Sequence, residues 1–296
     1  METTQHPVCL EPSSKSWPVE LDTIERGPDR IWVRGRLDVL ARRPRVAIVG
    51  TRSPSPYGEA QARRFARELS RAGVCIVSGL ARGIDSAAHE AALDTEGATI
   101  AVLGSGVDRP WPTGPLCEAI ARRGLLLSEF HPGESPRPHH FPLRNRVISG
   151  LCAGVLVVEA AQASGSLITA RWAADQGRLV WALPGRVDHP MSRGTHRLLR
   201  EGACLIEAPD EILDEVVPGR GVARELEARD AEGARREATS PNARRVLSAL
   251  TGQTSSADEI AAQLELDVRE VLVALVELEM ADWVVRAPGG VYRLVT

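Results

Sequence analysis

Lysine is almost missing from this chain: Lys15 is the only one among 36 basic residues, and all the others are arginine. A GC-rich coding sequence would account for the bias. Whatever its origin, the remaining cations are planar forks suited to bidentate phosphate contacts and to stacking on bases. A lysine-bearing phosphate loop of the GxxxxGK[ST] kind is absent too. The five cysteines (Cys9, Cys75, Cys117, Cys152, Cys204) make no CxxC pair, and three of them lie in apolar segments as small core residues. An odd cysteine count without a leader-like segment fits a reducing compartment, so a cytoplasmic location is expected. The longest apolar run, near 155–158, is far too short to span a bilayer, so no membrane segment is expected. The histidines show no HExxH or comparable metal-ligand spacing, and there is no GxSxG elbow. Gly104-Ser105-Gly106 starts a GxGxxG pattern but has Arg109 at its last position. No metal, no cofactor and no catalytic residue is therefore assigned. The slight net charge of −3 argues against a general nucleic-acid coat.

What is present is a regular alternation. Residues 1–40, with Pro7, Pro12, Pro18 and Pro28, read as an irregular N-terminal extension containing one strand-like piece, IWVRG at 31–35. From Arg45 onward, apolar runs occur at 46–49, 74–77, 99–103, 125–127, 154–158, 179–183 and 204–206. Ala/Arg/Glu/Leu-rich stretches of helical length separate most of them. This is a repeated βα pattern and predicts, over 41–216, a Rossmann-like α/β domain: a mostly parallel sheet with helices on both faces. Residues 217–240 mix both charge signs, lack large apolar residues except Leu226, and read as a flexible linker. Residues 241–296 then predict helices at 243–250, 257–264 and 268–280. Two short strands around Pro288-Gly289-Gly290 complete a winged helix.

Four turns carry the chemistry. VAIVGTR at 46–52 is a buried strand that stops at Gly50, Thr51 and Arg52, a turn with free N–H groups and a guanidinium. IVSGLARGID at 76–85 offers Ser78, Gly79, Arg82 and Gly83, with Asp85 or Ser86 as helix cap. VLGSGVDRPWP at 102–112 is the third. ASGSLITA at 163–170 offers Ser164, Gly165 and Ser166 at a helix start. One small residue after a strand is often only turn geometry. Four such turns on one sheet edge, with Arg52 and Arg82, point to a shared anion-binding face. HHFPLRNR at 139–146 adds Phe141, Arg144, Asn145 and Arg146, a mix suited to a single strand of nucleic acid. The alternative for these four is a core ring and loop-bridging hydrogen bonds. His89 reads as a buried, hydrogen-bonded residue. Glu129 and Glu159, at strand ends, read either as bases or as structural acceptors for loop N–H groups.

These motifs, together with LLSEF, VVEA, LPG at 183–185 and GTHRLLREGA at 194–203, resemble the DprA (Smf) family of DNA-processing proteins in order along residues 15–216. The C-terminal winged helix resembles the accessory domain of many members. No N-terminal SAM-like helical domain is expected, and WPVEL at 17–21 looks like the segment that precedes the Rossmann-like domain. The resemblance implies a non-enzymatic protein that binds single-stranded DNA during natural transformation, protects it and loads the recombinase RecA, acting as a homodimer. It implies a DNA pocket around Gly50, Thr51 and Arg52 that is lined also by Phe141 to Arg146. The chain departs from the family twice. The usual lysine before FPLRNR is missing, with Arg137 and His140 nearby and Arg137 able to supply the charge. Trp111 stands for the usual tyrosine of the third turn and keeps an aromatic wall. The dimer surface is expected around 198–213, where apolar residues recur. A nucleotide-binding or nucleotide-hydrolysing enzyme is the alternative, although the fourth turn lacks the glycine run and acid of the related phosphoribohydrolases. A ligand-sensing transcription regulator is the weakest reading. The winged helix has five arginines against eight carboxylates from Pro241 onward, and a helix entering a major groove should be cationic. It therefore reads as a protein-contact or regulatory module.

Overall fold

The computed structural model describes residues 3–221, 240–250 and 254–295. The chain divides into two compact units, residues 1–220 and 221–296.

The first unit is built on a nine-stranded sheet: β1 Thr3–Leu10, β2 Ile31–Arg36, β3 Arg45–Val49, β4 Cys75–Ser78, β5 Thr99–Val102, β6 Leu125–Ser128, β7 Gly154–Val157, β8 Leu179–Ala182 and β9 Cys204–Leu205. The order across the sheet is β1-β2-β6-β5-β4-β3-β7-β8-β9. The seven strands from β6 to β9 run parallel, whereas β2 is antiparallel to β6 and β1 to β2. The helices are α1 Pro56–Arg71, α2 Ile84–Asp94, α3 Pro115–Arg123, α4 His140–Gly150, α5 Ser166–Asp175, α6 Arg193–Arg200 and α7 Pro209–Val216. They cover both faces, as the βα alternation predicts. Side chains alternate across a strand, so Val46 and Ile48 pack with α1, α2 and α7. Ala47 and Val49 face the other way, into the cluster holding Val147 and Ile148 of α4, Leu151 at its end, and Ala170 and Ala173 of α5.

The chain leaves β3 through β4 and β5 to β6 on one side, then returns to β7 on the other side of β3. That reversal makes the carboxyl end of β3 the switch point of the sheet, where open α/β sheets bind ligands. α1 starts just beyond it because Pro56 fits the first helical turn and the Ser55 hydroxyl accepts the Gly58 N–H at 3.0 Å.

Residues 1–40 are not an irregular extension. β1 and β2 close one edge of the sheet, and Trp17, Leu21 and Ile24 join the core beneath α4. β1 escapes the hydrophobic pattern because it is an edge strand: Pro7 lies where its register shifts between Thr4 and Val8, and of its residues 4–10 only Leu10 is buried. The body also runs past 216. Val217 packs on the α1 side, and Arg220 pairs with Asp210 at 2.5 Å. The rest of the expected linker, residues 222–239, lies outside the described residues.

The second unit has the expected winged-helix elements: α8 Pro241–Ala249, β10 Ser255–Ser256, α9 Ala257–Leu264, α10 Val268–Met280, β11 Val284–Ala287 and β12 Val291–Leu294. Each helix has a sequence-encoded start. Ser240 caps α8, Ser256 with Glu259 forms a capping box on α9, and Asp267 caps α10. β10, β12 and β11 form a small sheet over a core that includes Val246, Ile260, Val271, Leu275, Leu278 and Tyr292. Among the described residues no helix is long and apolar enough to cross a membrane.

Candidate nucleic-acid interface

A cavity of about 710 Å³ opens at the switch point. The turns after β3 and β4, the turn opening α5, the third turn and the start of α4 all contribute to its wall. Of the residues singled out in the sequence, Gly50, Arg52, Gly79, Arg82, Trp111, Phe141, Arg144, Asn145, Ser164, Gly165 and Ser166 line it. Thr51, Ser78, Gly83, Arg137, His140 and Arg146 do not.

The floor is a buried ion arrangement. Arg144 donates to the carbonyls of Gly79, at 3.0 Å, and of Val102, and through Nε to Asn145 Oδ1 at 3.3 Å. Asp85 accepts the Gly79 N–H at 3.0 Å. The Gly79 peptide is thus held from both sides. A Cβ there would lie 2.7 Å from Arg144 Nη2 and 2.9 Å from Asp85 Oδ2, so only glycine fits. Burial lowers the Arg144 pKa to about 10 against the opposing pull of Asp85, which leaves it cationic at neutral pH. Burial raises the Asp85 pKa, and the Arg144 charge works against that rise. The sequence offers Asp85 or Ser86 as a cap for α2, but neither serves. Asp85 is spent on Gly79, the Ser86 hydroxyl donates to Ala81 O at 2.7 Å, and Gly83 occupies the cap position without a side-chain bond.

The mouth is different. Arg52 and Arg82 are exposed, and neither makes a hydrogen bond or ion pair among the described residues. Arg52 also lies near enough to Arg144 to depress its pKa further. Three guanidiniums and one carboxylate thus line the cavity, and two of the guanidiniums are exposed at its opening. Phe141 supplies a ring with the Arg144 guanidinium carbon 5.9 Å from its centroid, and Trp111, 56 % exposed, stands on the rim. Ser164 and Ser166 share a 2.8 Å hydroxyl contact, and Asn145 Nδ2 donates to Gly165 O at 3.4 Å.

The residues outside the cavity shape it. Thr51 N–H donates to Glu159 O at 2.8 Å and its carbonyl accepts Ile84 N–H at 3.2 Å, pinning the first turn to β7 and α2. Gly83, at φ +87°, lies so close that a Cβ would come 2.5 Å from Thr51 O. The Ser78 hydroxyl donates to Ile48 O at 2.6 Å, tying β4 to β3. Arg146 turns away and forms a buried bidentate pair with Glu129 at 2.8 and 2.7 Å. His140 is buried, stacked on Phe130 with ring centroids 4.0 Å apart, and bonded to Gly104 O at 3.1 Å. Arg137 is exposed but off the cavity wall. Glu129 and Glu159 are structural acceptors: the first holds Arg146, and the second holds the N–H and hydroxyl of Ser55. Asp85, Pro138, Pro142, Ile148, Ile168 and Thr169 line the cavity without having been singled out for it. The prolines flanking Phe141 and the acid after Gly83 are the signals that could have found some of them.

A family model described as DNA recombination-mediator protein A matches residues 9–217, and one for the DprA winged helix domain matches residues 230–290. Protein Smf of Escherichia coli is 39 % identical over 284 residues, covering 95 % of this chain and 76 % of that protein. The X-ray structure of DNA processing protein A from Streptococcus pneumoniae is similar with a TM-score of 0.68 and 42 % identity, over 72 % of this chain and 76 % of that one. A structure of DNA processing protein A from Helicobacter pylori, described for its single-stranded DNA binding mode, has a TM-score of 0.64 and 32 % identity. It is matched over 97 % of its length and 73 % of this chain.

Proposed function

The chain belongs to the DNA recombination-mediator protein A family, and from that premise we propose that it binds single-stranded DNA in the cavity at the end of β3. In this reading it protects incoming strands and passes them to the recombinase RecA during natural transformation. The observation that carries the reading is the unpaired state of Arg52 and Arg82 at the mouth, above the buried charge of Arg144. Exposed guanidiniums without a protein partner meet phosphates, and Phe141 and Trp111 give bases a surface to stack on. The relative from Helicobacter pylori, whose structure concerns single-stranded DNA binding, supports the same substrate. We read the site as one of binding rather than catalysis, since Asp85, its one carboxylate, is already engaged by Gly79 N–H.

Assembly as a homodimer through the C-terminal part of this unit belongs to the same proposal. Leu205 on the edge strand β9 is 50 % exposed, and Leu179 on the adjacent β8 is 38 % exposed. The test is fluorescence anisotropy with a labelled dT oligonucleotide. Arg52→Ala should weaken binding by tenfold or more, about 1.4 kcal/mol, and wild-type affinity in that variant would remove the site.

A further inference from the structure

We infer that the outer face of α10 is a docking surface for another protein, and that its partner is a segment apolar on one side and edged by lysine or arginine. α10 buries Val271, Ala274, Leu275 and Leu278 in the core of its unit. A surface helix should then be polar on the opposite side. Instead Leu272, Val273, Val276 and Met280 stand there, 42 %, 70 %, 53 % and 84 % exposed. Val276 lies four residues from Leu272, three from Val273 and four from Met280, which puts all of them on one stripe. Beside it a cleft of about 450 Å³ opens toward the start of α8, lined by Pro241, Asn242, Glu270 and Val273 among others. Contiguous exposed apolar surface of this kind marks an interaction site.

The charges around the stripe choose the occupant. Glu270, Glu279 and Asp282 flank it or close its end, with Glu277 bonded to Ser240, against one cation on the helix, Arg269, which lines the cleft. A duplex is disfavoured, because carboxylates repel phosphates and aliphatic side chains read no donor or acceptor pattern. A second copy would bring the same acidic border against itself. The chain's own segment 222–239 carries one large apolar residue, Leu226, beside Val222, too few to cover four side chains. A basic amphipathic segment satisfies both the apolar stripe and its border.

The probe is a labelled synthetic helix with leucines on one face and lysines along its edges, and a twin carrying glutamates in place of the lysines. Both are titrated by anisotropy into the full chain, wild type and Val276→Asp/Met280→Asp. Both substituted positions are exposed, and unchanged dT binding together with an unchanged circular dichroism spectrum shows that the fold persists. The lysine peptide should bind wild type at least tenfold more tightly than the double variant, and the glutamate peptide should not bind. Equal binding of the two peptides, no binding, or equal binding by the variant overturns the proposal. So does a fall in sedimentation mass caused by Val276→Asp/Met280→Asp alone, which would assign the stripe to a second copy.

Discussion

Arg144 and Arg146 lie two positions apart in one motif and have opposite fates. Residues two apart on an α-helix are separated by about 200° around its axis, so one faces the cavity floor and the other the Glu129 carboxylate. The sequence motif is legible as a cation cluster, but which cation meets the ligand depends on the rotation of α4, which no composition reveals. The two arginines should therefore separate experimentally. Arg146→Ala leaves the largely covered Glu129 without its partner and should cost about 3 kcal/mol of stability in urea unfolding. Arg52→Ala, at an exposed unpaired residue, should leave the unfolding midpoint unchanged while DNA binding falls. His89 gives a second test at this scale. The Thr99 hydroxyl donates to Ile76 O, so His89 Nδ1 must donate to Thr99 Oγ1, and the ring is neutral with its other nitrogen unpartnered. Burial pushes its pKa down to about 3, while in the unfolded chain it titrates near the ordinary value of about 6.5. The unfolded state thus takes up the proton first. This contribution to stability is complete above about pH 6.5 and drains away as pH falls toward 3. Between pH 6 and pH 5 the wild type should lose about 1 kcal/mol more than His89→Gln in urea titrations, and equal losses would refute the neutral core assignment.

The seven parallel strands are readable because strands buried on both faces are runs of apolar residues. β1 is not, since an edge strand with one covered face and Pro7 carries no such run. The helix starts are equally legible where a side chain caps them, at Ser55, Ser240, Ser256 and Asp267. The start of α2 misleads because its cap is a left-handed glycine and the nearby acid is drawn off by Gly79. Ser55 joins two elements: it caps α1 and donates to the buried Glu159 at the end of β7. Ser55→Ala should therefore cost more than an ordinary cap, about 2 kcal/mol. It should also loosen the first turn, because Glu159 O accepts the Thr51 N–H. Denaturant unfolding measures the first effect and oligonucleotide affinity the second.

At the scale of the whole molecule, single-strand binding should depend on salt through the few phosphates the cavity engages. With Arg52, Arg82 and Arg144 as the contacting charges, log K should fall against log salt with a slope of about −2. Arg52→Ala should reduce that slope by about 0.7. A salt-independent affinity would mean that phosphate contacts do not carry the binding. Removing residues 241–296 should leave both affinity and slope nearly unchanged, because the acidic α10 offers DNA no cation-rich face. The binding assay on the shortened chain decides this.

The two rims of the nine-stranded sheet are unlike. One is β9, two residues long, with Cys204 and Leu205 exposed. The other is β1, interrupted at Pro7. If two copies join at β9, the outer rims of the pair are both β1, and a proline there withholds the N–H that a further strand would need. Growth ends at two. A sheet with one short open rim and one proline-interrupted rim can close a pair but cannot become a fibre.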